Sequence, residues 1–464
     1  MCALNKVKGM KLVMKKRKKL KRKILTYTLT LCFTALIIGI IYFGYTLFFN
    51  KEPQKSFLET IETTAYVDID KYAIYGIHMN MEGTFTLPEE VEEVSLKLTN
   101  GTDNININWK LTEEENNTYS FITSEYINEG IVLENLPKGE YYLVIETINH
   151  DEENNEIKKY YSVQNKTEYE DLEYYTLTKD GKNNKIDIEW NTYEEIPTLR
   201  FTIKETTLPD DVYDITIDPG HDAVDGGMTA CSDGSTPDYY YGCYTGTTIH
   251  ESDLNLEVSL ELKRILEEMG YKVAMTRDDP EDEVYIYEKN GSATLANDTK
   301  SKFSLAIHHN SSGMGGTSYL KGLELYIAND TNLDLAEIFV NEITQNANTT
   351  TSPKQEYNIA DGIYQRFFTL EEIGDDLGFW TTDMIYYYYI REVGGISTHA
   401  AQDGIYKPDY PKNEHYNSNN TAEPYLFELG YMDNYENLLN VLNNRTGYAK
   451  GIASAIQKYL EQEV

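Results

Sequence analysis

The sequence predicts an α/β domain with a mostly parallel sheet flanked by helices in its C-terminal half, preceded by an all-β, sandwich-like region and one N-terminal transmembrane helix. Three observations lead to this prediction. An uncharged apolar segment lies near the N-terminus, short alternating apolar runs follow it, and strand-like and helix-like segments alternate after residue 208. Short alternating runs are typical of β-sandwiches, and alternating strands and helices are typical of a parallel sheet.

The first 49 residues consist of a basic tail and an apolar segment. Residues 1–23 carry eleven Lys or Arg and no acidic residue, and residues 24–49 carry no charge. About 20 apolar residues span a bilayer as a helix, so we expect residues 24–49 to be a transmembrane anchor. The positive-inside rule then places the tail in the cytoplasm and the rest of the chain outside the cell. A cleaved signal peptide is the alternative, but its apolar region is normally about 7–15 residues long.

The rest of the chain is strongly acidic. The protein has 41 basic and 76 acidic residues and a formal net charge of −35, so without the tail 30 basic residues face 76 acidic ones. Because phosphate contacts need a basic surface, we expect no nucleic-acid partner.

Two of the four cysteines, Cys231 and Cys243, lie twelve positions apart in a Gly- and Tyr-rich segment of the part expected outside the cell. A disulfide between them would close a small loop, and two unpaired thiols are the alternative. Their spacing is not that of a zinc knuckle.

The region before the α/β domain is predicted to be made of short strands. Residues 50–62 are polar and are interpreted as a linker, and residues 63–208 as a β-rich spacer or binding domain. Alternating apolar residues at 94–98 and 105–109 flank an Asn100-Gly101 turn, which predicts a hairpin. Repeated short strands with turn signals favour one β-sandwich or two small ones. We see no catalytic group of residues in this region.

The α/β domain is predicted over residues 209–464, with a long Tyr-rich insert at about 348–420 that is expected to shape or cover the site. Ser252 is expected to cap its first helix and Gly270 to end it. The predicted strands are Val212–Ile217, Tyr271–Thr276, Phe303–Ile307, Gly322–Ile327 and Tyr425–Leu429, and later helices are predicted around residues 335–343 and 448–460.

Polar residues stand where several of these strands end. His221 follows a Pro219-Gly220 turn after the first strand, His308 and His309 end the third, and Glu251 directly precedes the first helix. Ligands of open α/β sheets bind at the carboxyl ends of the strands. Two imidazoles and one carboxylate are the ligand set of a catalytic zinc that keeps one position open. Taken singly, each of these residues also has a structural explanation. A histidine at a strand end can simply face solvent, and an acid in the first turn of a helix is favoured by the helix dipole.

Glu428 is a fourth candidate, because it interrupts an apolar run that is predicted to be a central strand. A buried carboxylate is costly unless it is paired or functional. A buried structural acid is the alternative interpretation of this residue.

Residues 214–464 resemble the zinc-dependent N-acetylmuramoyl-L-alanine amidases of bacterial cell walls, the family called amidase type 3. The motifs that carry the resemblance are Ile217-Asp-Pro-Gly-His221, Glu251-Ser-Asp-Leu-Asn-Leu256, Val273-Ala-Met-Thr-Arg277, Ala296-Asn297, Ala306-Ile-His-His-Asn310, Gly322-Leu-Glu324 and Tyr425-Leu-Phe-Glu-Leu-Gly-Tyr-Met-Asp-Asn434. The resemblance implies His221, Glu251 and His308 as ligands of Zn²⁺, and Glu428 as the catalytic acid/base. It also implies that the substrate is peptidoglycan, cut at the amide bond between N-acetylmuramic acid and L-alanine. Asp222 or Asp253 is expected to orient one of the ligands.

The chain also departs from the family. An arginine that usually precedes the Ala296-Asn297 pair is absent from residues 287–292, and the insert is unusual. Two alternatives to the amidase stay open at this point. Another extracellular zinc peptidase acting on stem peptides would use the same ligand types. A catalytically silent wall-binding or activator protein is disfavoured because all four candidate residues are intact.

Overall fold

The structure is a computed structural model in which the chain divides into two compact units, Met1–Thr60 and Ile61–Val464. The residues that it describes are 57–75, 77–123, 130–163, 169–177, 183–193, 196–238, 240–286, 288–313, 318–327, 333–368, 384–387, 389–390, 393, 419–420 and 422–462. The predicted tail and anchor, residues 1–23 and 24–49, lie outside these ranges. Among the described residues, no helix combines the length and the apolar character that a membrane crossing needs.

The 3-10 helix Phe57–Thr60 belongs to the first unit, and the β-rich region of the second unit contains thirteen of the described strands and the short 3-10 helix Leu133–Asn135. Its strands are β1 (Ile61–Glu62), β2 (Tyr66–Tyr75), β3 (His78–Thr86), β4 (Glu93–Thr99), β5 (Asn104–Ile107), β6 (Lys110–Glu113), β7 (Thr118–Ile122), β8 (Ile131–Val132), β9 (Gly139–His150), β10 (Glu156–Ser162), β11 (Leu172–Tyr175), β12 (Asn183–Tyr193) and β13 (Ile196–Thr206).

These strands form two sheets that share one apolar core. The first sheet has the order β1-β10-β9-β13-β12-β11, with β4 on β9 and β5 on β4, and the second contains β2-β3-β7-β6 with β8 on β3. Residues of both sheets, such as Phe85 and Phe121 of one and Leu98 and Phe201 of the other, pack together. The region is therefore one sandwich, not two. The expected hairpin is present as β4 and β5, in which Leu98 lies opposite Ile105.

The rest of the chain alternates strands and helices. The strands are β14 (Ile215–Pro219), β15 (Thr229–Cys231), β16 (Thr248–His250), β17 (Val273–Met275), β18 (Phe303–Asn310), β19 (Glu324–Ile327), β20 (Asn358–Ala360), β21 (Ile363–Tyr364), β22 (Phe367–Phe368), β23 (Met384–Ile385), β24 (Asn419–Asn420) and β25 (Glu423–Tyr431). The helices bounded within the described residues are α1 (Glu251–Glu268), α2 (Leu295–Asp298), α3 (Leu333–Ala347) and α4 (Tyr435–Gln462).

The central sheet is mixed, with the order β17-β14-β18-β25-β19-β21-β20. Strands β17, β14, β18 and β25 are parallel to one another, whereas β19 runs antiparallel to β25 and β20 runs antiparallel to β21. The α/β class is confirmed, and the antiparallel β19 is the departure from a mostly parallel sheet. Only 13 residues, 311–323, separate β18 from β19, which is close to the minimum of about a dozen for a parallel crossover.

Helices α1 and α3 pack against α4, and their apolar faces join the sheet in one core. Helix α1 begins two residues earlier than expected, since His250 and not Ser252 is its N-cap residue. Gly270 follows its end with a φ of 99°, a left-handed conformation that favours glycine, as predicted. Helix α4 begins at Tyr435, well before the predicted helix, and its backbone is non-helical at Asn444.

The β-rich region contacts the α/β part through buried polar groups. Lys302, with a side chain 3% exposed, places its Nζ 2.9 Å from the Tyr174 hydroxyl and 3.7 Å from the carboxylates of Glu134 and Glu423. Asp214 accepts a hydrogen bond from the side chain of Asn183 at 2.8 Å. These contacts hold β14, β18 and β25 against the β-rich region, so the two regions pack as parts of one compact unit.

Candidate metal centre

Three of the predicted site residues meet at the carboxyl end of the parallel strands. One ligand atom each from His221, Glu251 and His308 can be chosen so that all three lie within 4.8 Å of one another. The Nε2 of His221 is 3.2 Å from Oε2 of Glu251, and the Nδ1 of His308 is 3.3 Å from Oε1 of Glu251. The two imidazoles and the carboxylate therefore lie close together at this end of the sheet.

His221 is positioned by the turn that follows β14. Its φ of 62° lies in the left-handed region, which aims the ring away from the strand direction. The guanidinium of Arg277 donates hydrogen bonds to the carbonyls of Pro219 and Gly220 and to the carbonyl of Ser252 in α1. The buried Arg277 thus ties the turn that carries His221 to the helix that begins with Glu251.

Asp225 fixes the orientation of the His221 ring. Its Oδ2 lies 2.9 Å from Nδ1 of His221, which leaves Nε2 to face Glu251. Of the two acids expected in this role, Asp222 instead accepts hydrogen bonds from backbone N–H groups, including that of Val284, and Asp253 is exposed on α1. A carboxylate hydrogen-bonded to the outer nitrogen is the usual partner of a metal-binding histidine.

Glu251 is 3% exposed and is held by backbone donors as well as by the two histidines. The backbone N–H groups of Met228 and His309 donate to its two carboxylate oxygens at 3.0 and 3.1 Å. Burial works against ionisation of Glu251, but the hydrogen bonds and charges of His221 and His308 outweigh it and lower its pKa. For His221, burial is likewise outweighed by the hydrogen bonds and charges of Glu251 and Asp225, which raise its pKa to about 9.

Two glycines leave the space that the ligand side chains occupy. A Cβ placed on Gly220 would lie 2.2 Å from the His308 ring, and one placed on Gly227 would lie 2.6 Å from the His221 ring and 2.8 Å from the Glu251 carboxylate. Any larger residue at either position would displace a ligand. The glycines of the Pro-Gly-His and Asp-Gly-Gly segments are thus needed for close packing around the centre.

The side chain of His309, the neighbour of His308, takes no part in the cluster. Successive side chains of a strand point to opposite faces, and the Nδ1 of His309 lies 2.7 Å from Oδ1 of Asn255. Burial lowers the pKa of His309 to about 4, so its ring is neutral at neutral pH. The structure therefore brings His308, and not His309, to the other candidate ligands.

Glu428 lies on β25, directly beside the His308 strand. It is in register with His308 on one side and with Glu324 of β19 on the other. The side chain is buried, and its Oε2 has no hydrogen-bond partner among the described residues. Burial, followed by the negative charges of Glu251 and Glu324, raises its pKa well above the ordinary value. An acid held in this way can store and release a proton.

Glu324 is a component of the site to which the sequence analysis gave no role. It is fully buried and accepts hydrogen bonds from the hydroxyls of Tyr326 and Tyr431 and from the side-chain amide of Asn310. The ammonium of Lys354 lies 3.5 Å away. The sequence did offer a signal for this role, because Glu324 stands at the start of the apolar Leu-Tyr-Ile run. A carboxylate buried in a strand needs hydrogen-bond or charge partners.

Cys231 and Cys243 form a disulfide, which closes a loop between β15 and β16 next to the cluster. The sequence left open a disulfide or two unpaired thiols, and the structure contains the disulfide.

Comparison with known proteins finds one family model that matches this part of the chain. Residues 215–376, about a third of the chain, match the model of the amidase 3 family, described as N-acetylmuramoyl-L-alanine amidase. The matched segment contains His221, Glu251 and His308 and ends before Glu428. None of the curated proteins compared with the chain matches it.

Several solved structures share similarity with this chain. They include the catalytic domain of the N-acetylmuramoyl-L-alanine amidase CwlV from Bacillus (Paenibacillus) polymyxa var. colistinus, 20% identical over 54% of this chain and 99% of that one, with a TM-score of 0.35. The amidase AmiC2 of Nostoc punctiforme is 21% identical over 54% of this chain and 98% of that one, with a TM-score of 0.33. The amidase Ami1 of Mycobacterium smegmatis is 15% identical over 54% and 97%, also with a TM-score of 0.33.

Proposed function

Starting from the match of residues 215–376 to the N-acetylmuramoyl-L-alanine amidase family, we propose that this protein is a zinc-dependent hydrolase of peptidoglycan. The enzyme class and the wall substrate follow from the family match. The metal, the roles of the individual residues and the place of action outside the membrane are the further parts of the proposal.

The observation that carries the proposal is the arrangement of four side chains at one end of the sheet. His221, Glu251 and His308 converge, and the buried Glu428 stands on the strand beside His308. Three protein ligands with one position left for water, next to an acid/base, are the composition of a catalytic zinc site.

The three ligands fit zinc in type, and they lie close enough together to share one ion. Zinc binds His nitrogen and Glu oxygen at about 2.0–2.2 Å, so two ligands of one tetrahedral ion lie about 3.4 Å apart. Each histidine lies 3.2 or 3.3 Å from one of the two Glu251 oxygens, and one atom from each of the three residues lies within 4.8 Å of the others. The lowered pKa of Glu251 keeps its carboxylate ionised, which a ligand requires.

Zinc, when bound, would polarise the scissile carbonyl and make water more acidic. Glu428 is the proton carrier of the chain: its carboxylate takes a proton from the attacking water and passes it to the leaving nitrogen. The C–N bond breaks as the C–O bond forms, which leaves a carboxylate on the lactyl group of N-acetylmuramic acid and a free amine on L-alanine. Burial of Glu428 raises its pKa, so the proton is retained until the amine accepts it.

The test uses the purified full chain, loaded with zinc, on purified peptidoglycan. New amino groups are labelled and the labelled residue is identified. We expect L-alanine from the native protein, none from Glu428→Gln, and a normal zinc content in that variant. His221→Ala should lose zinc together with activity. New termini within the stem peptide would contradict the amidase, and full activity of Glu428→Gln would contradict the role of Glu428.

The proposal also places the α/β part outside the cell membrane, with residues 24–49 as the anchor. The uncharged segment and the basic tail support it. The Cys231–Cys243 disulfide supports it independently, since such bonds persist mainly in oxidising compartments. Protease added to intact cells whose wall has been made permeable should digest the α/β part and spare an epitope tag on residues 1–23. Protection of both ends would contradict this topology.

A further inference from the structure

A cleft of about 640 Å³ lies beside the metal centre, on the side of the disulfide-closed loop. Gly227 and Met228 form one of its walls, and they also touch the centre. The Cβ position of Gly227 is 2.8 Å from the Glu251 carboxylate, and the backbone N–H of Met228 donates to that carboxylate. The cleft and the proposed zinc ligands therefore share the wall formed by Gly227 and Met228.

The opposite wall is the tip of the loop, where Tyr240 and Tyr241 are 84% and 80% exposed. The tip is held in place from within. Asp238 and Gly242 exchange two backbone hydrogen bonds of 2.8 and 2.9 Å, and the Asp238 carboxylate accepts the N–H groups of both tyrosines. The tyrosine rings are thus presented by a preorganised backbone, which reduces the entropy lost when a ligand binds.

The loop is also fastened at its base. Beyond the Cys231–Cys243 disulfide, the Cys243 N–H donates to the Thr248 hydroxyl at 3.1 Å, and the Tyr244 hydroxyl donates to Asp238 at 3.0 Å. Two highly exposed aromatic rings on a fastened loop contribute nothing to the apolar core, and exposed aromatic side chains of this kind are typical of binding surfaces.

The chemistry of the walls favours an uncharged, hydroxyl-rich ligand. The described lining residues include one acid, Asp238, one histidine, His250, and no Lys or Arg, so the cleft presents no permanent positive charge to an anion. The phenol rings offer flat apolar faces, and the hydroxyls of Thr248 and the tyrosines offer hydrogen bonds. A pyranose ring has both matching features, since C–H groups cover its faces and hydroxyls its edge.

We propose that this cleft is a glycan subsite, in which Tyr240 and Tyr241 hold the sugar chain that continues from the N-acetylmuramic acid at the scissile bond. This inference rests on the proposed function, which puts the sugar on the carbonyl side of the cleaved amide. The sugars next to that group are uncharged, whereas the stem peptide ends in a carboxylate that Asp238 would repel. With this subsite, the protein would cleave stem peptides from intact glycan chains in preference to free muropeptides.

The kinetic test compares two substrates of the zinc-loaded full chain. One is a soluble glycan chain of several disaccharides bearing stem peptides, and the other is a single N-acetylmuramoyl peptide. Tyr240→Ala/Tyr241→Ala should raise KM for the long substrate about tenfold with kcat unchanged, and alter KM for the single sugar less than about twofold. Tyr240→Phe/Tyr241→Phe keeps the ring faces and should stay close to native. Tyr319→Ala, which removes a 73% exposed ring outside the cleft, is the matched control.

A binding measurement separates this inference from the proposed function. Oligomers of N-acetylglucosamine, which carry no charge, should bind Glu428→Gln, and the two alanine substitutions added to that variant should weaken binding about tenfold. Equal KM values for native and double-alanine protein, or unchanged binding of these oligomers, would overturn the subsite. If the native protein cleaves neither substrate, the proposed function fails, and the binding measurement still decides the subsite.

Discussion

Gly220→Ala tests the metal centre without changing any ligand. Gly220 has no positive φ, so alanine meets no backbone strain there. The added methyl group would lie 2.2 Å from Cε1 and 2.3 Å from Nε2 of His308, whereas ordinary contact begins at 3.4 Å. The His308 ring must therefore move by roughly 1.2 Å, the difference between the ordinary contact distance and the one found.

A shift of that size removes His308 from a zinc bond of about 2.0–2.1 Å. Disturbing a residue that only supports a ligand already weakens metal binding by about 10–100-fold, so we expect Gly220→Ala to weaken zinc binding by at least about 100-fold. The assay is competition for zinc with a chelator of known affinity, with hydrolysis of peptidoglycan at limiting zinc measured in parallel.

Gly226→Ala is the matched control, because it adds the same methyl group in the same turn region. Its nearest neighbour would be the His250 ring at 3.2 Å, a contact that a small rotation relieves, and we expect native zinc affinity. Circular dichroism should show both variants folded. Native zinc affinity in Gly220→Ala would refute the reasoning, because it would mean that the position of the His308 ring does not matter for the metal.

Three further predictions concern residues around the centre and the contact with the β-rich region. Asp225→Asn should weaken zinc binding by about 10–100-fold in the same competition assay, and native affinity would exclude Asp225 as the orienting partner. Lys302→Ala should lower the free energy of unfolding by about 3 kcal/mol in urea titrations, since it leaves buried carboxylates without their cation, whereas the exposed control Lys321→Ala should cost under about 1 kcal/mol. Because burial lowers the pKa of His309 to about 4 from 6.5, the folded state binds fewer protons than the unfolded state, and stability is lost as the pH falls from 6.5 toward 4. The loss between pH 7.5 and 5.5 is on the order of 1 kcal/mol, and a native pH dependence in His309→Gln would contradict this origin.

The candidate ligands were predictable because each stands at a recognisable boundary in the chain. His221 follows a Pro-Gly turn, His308 ends an apolar run, and Glu251 opens an amphipathic helix, so their elements were found from local patterns. Choosing His308 over its neighbour rested on the family motif, and the alternation of side chains along β18 gives the same choice.

The sequence could not predict the features that depend on which distant segments of the chain become neighbours. The antiparallel direction of β19, and with it the placement of Glu324 beside Glu428, depends on which strands become neighbours. The same is true of Asp225, which lies in an irregular turn where several acids are equally close in sequence to His221. Periodicity identifies elements and faces, but it does not identify partners.

The order of strands in the central sheet has a consequence for when the enzyme becomes active. Strand β25, buried along its whole length, lies between β18 and β19 but is the last of the described strands in the order of synthesis. Its Glu428 comes 120 residues after His308, the last of the three proposed ligands, as the difference 428 − 308 gives. On the proposed roles, a growing chain has every metal ligand long before it has the proton carrier. We expect hydrolysis to begin only after β25 has inserted, so that a chain still being made or exported does not yet cut the wall around it.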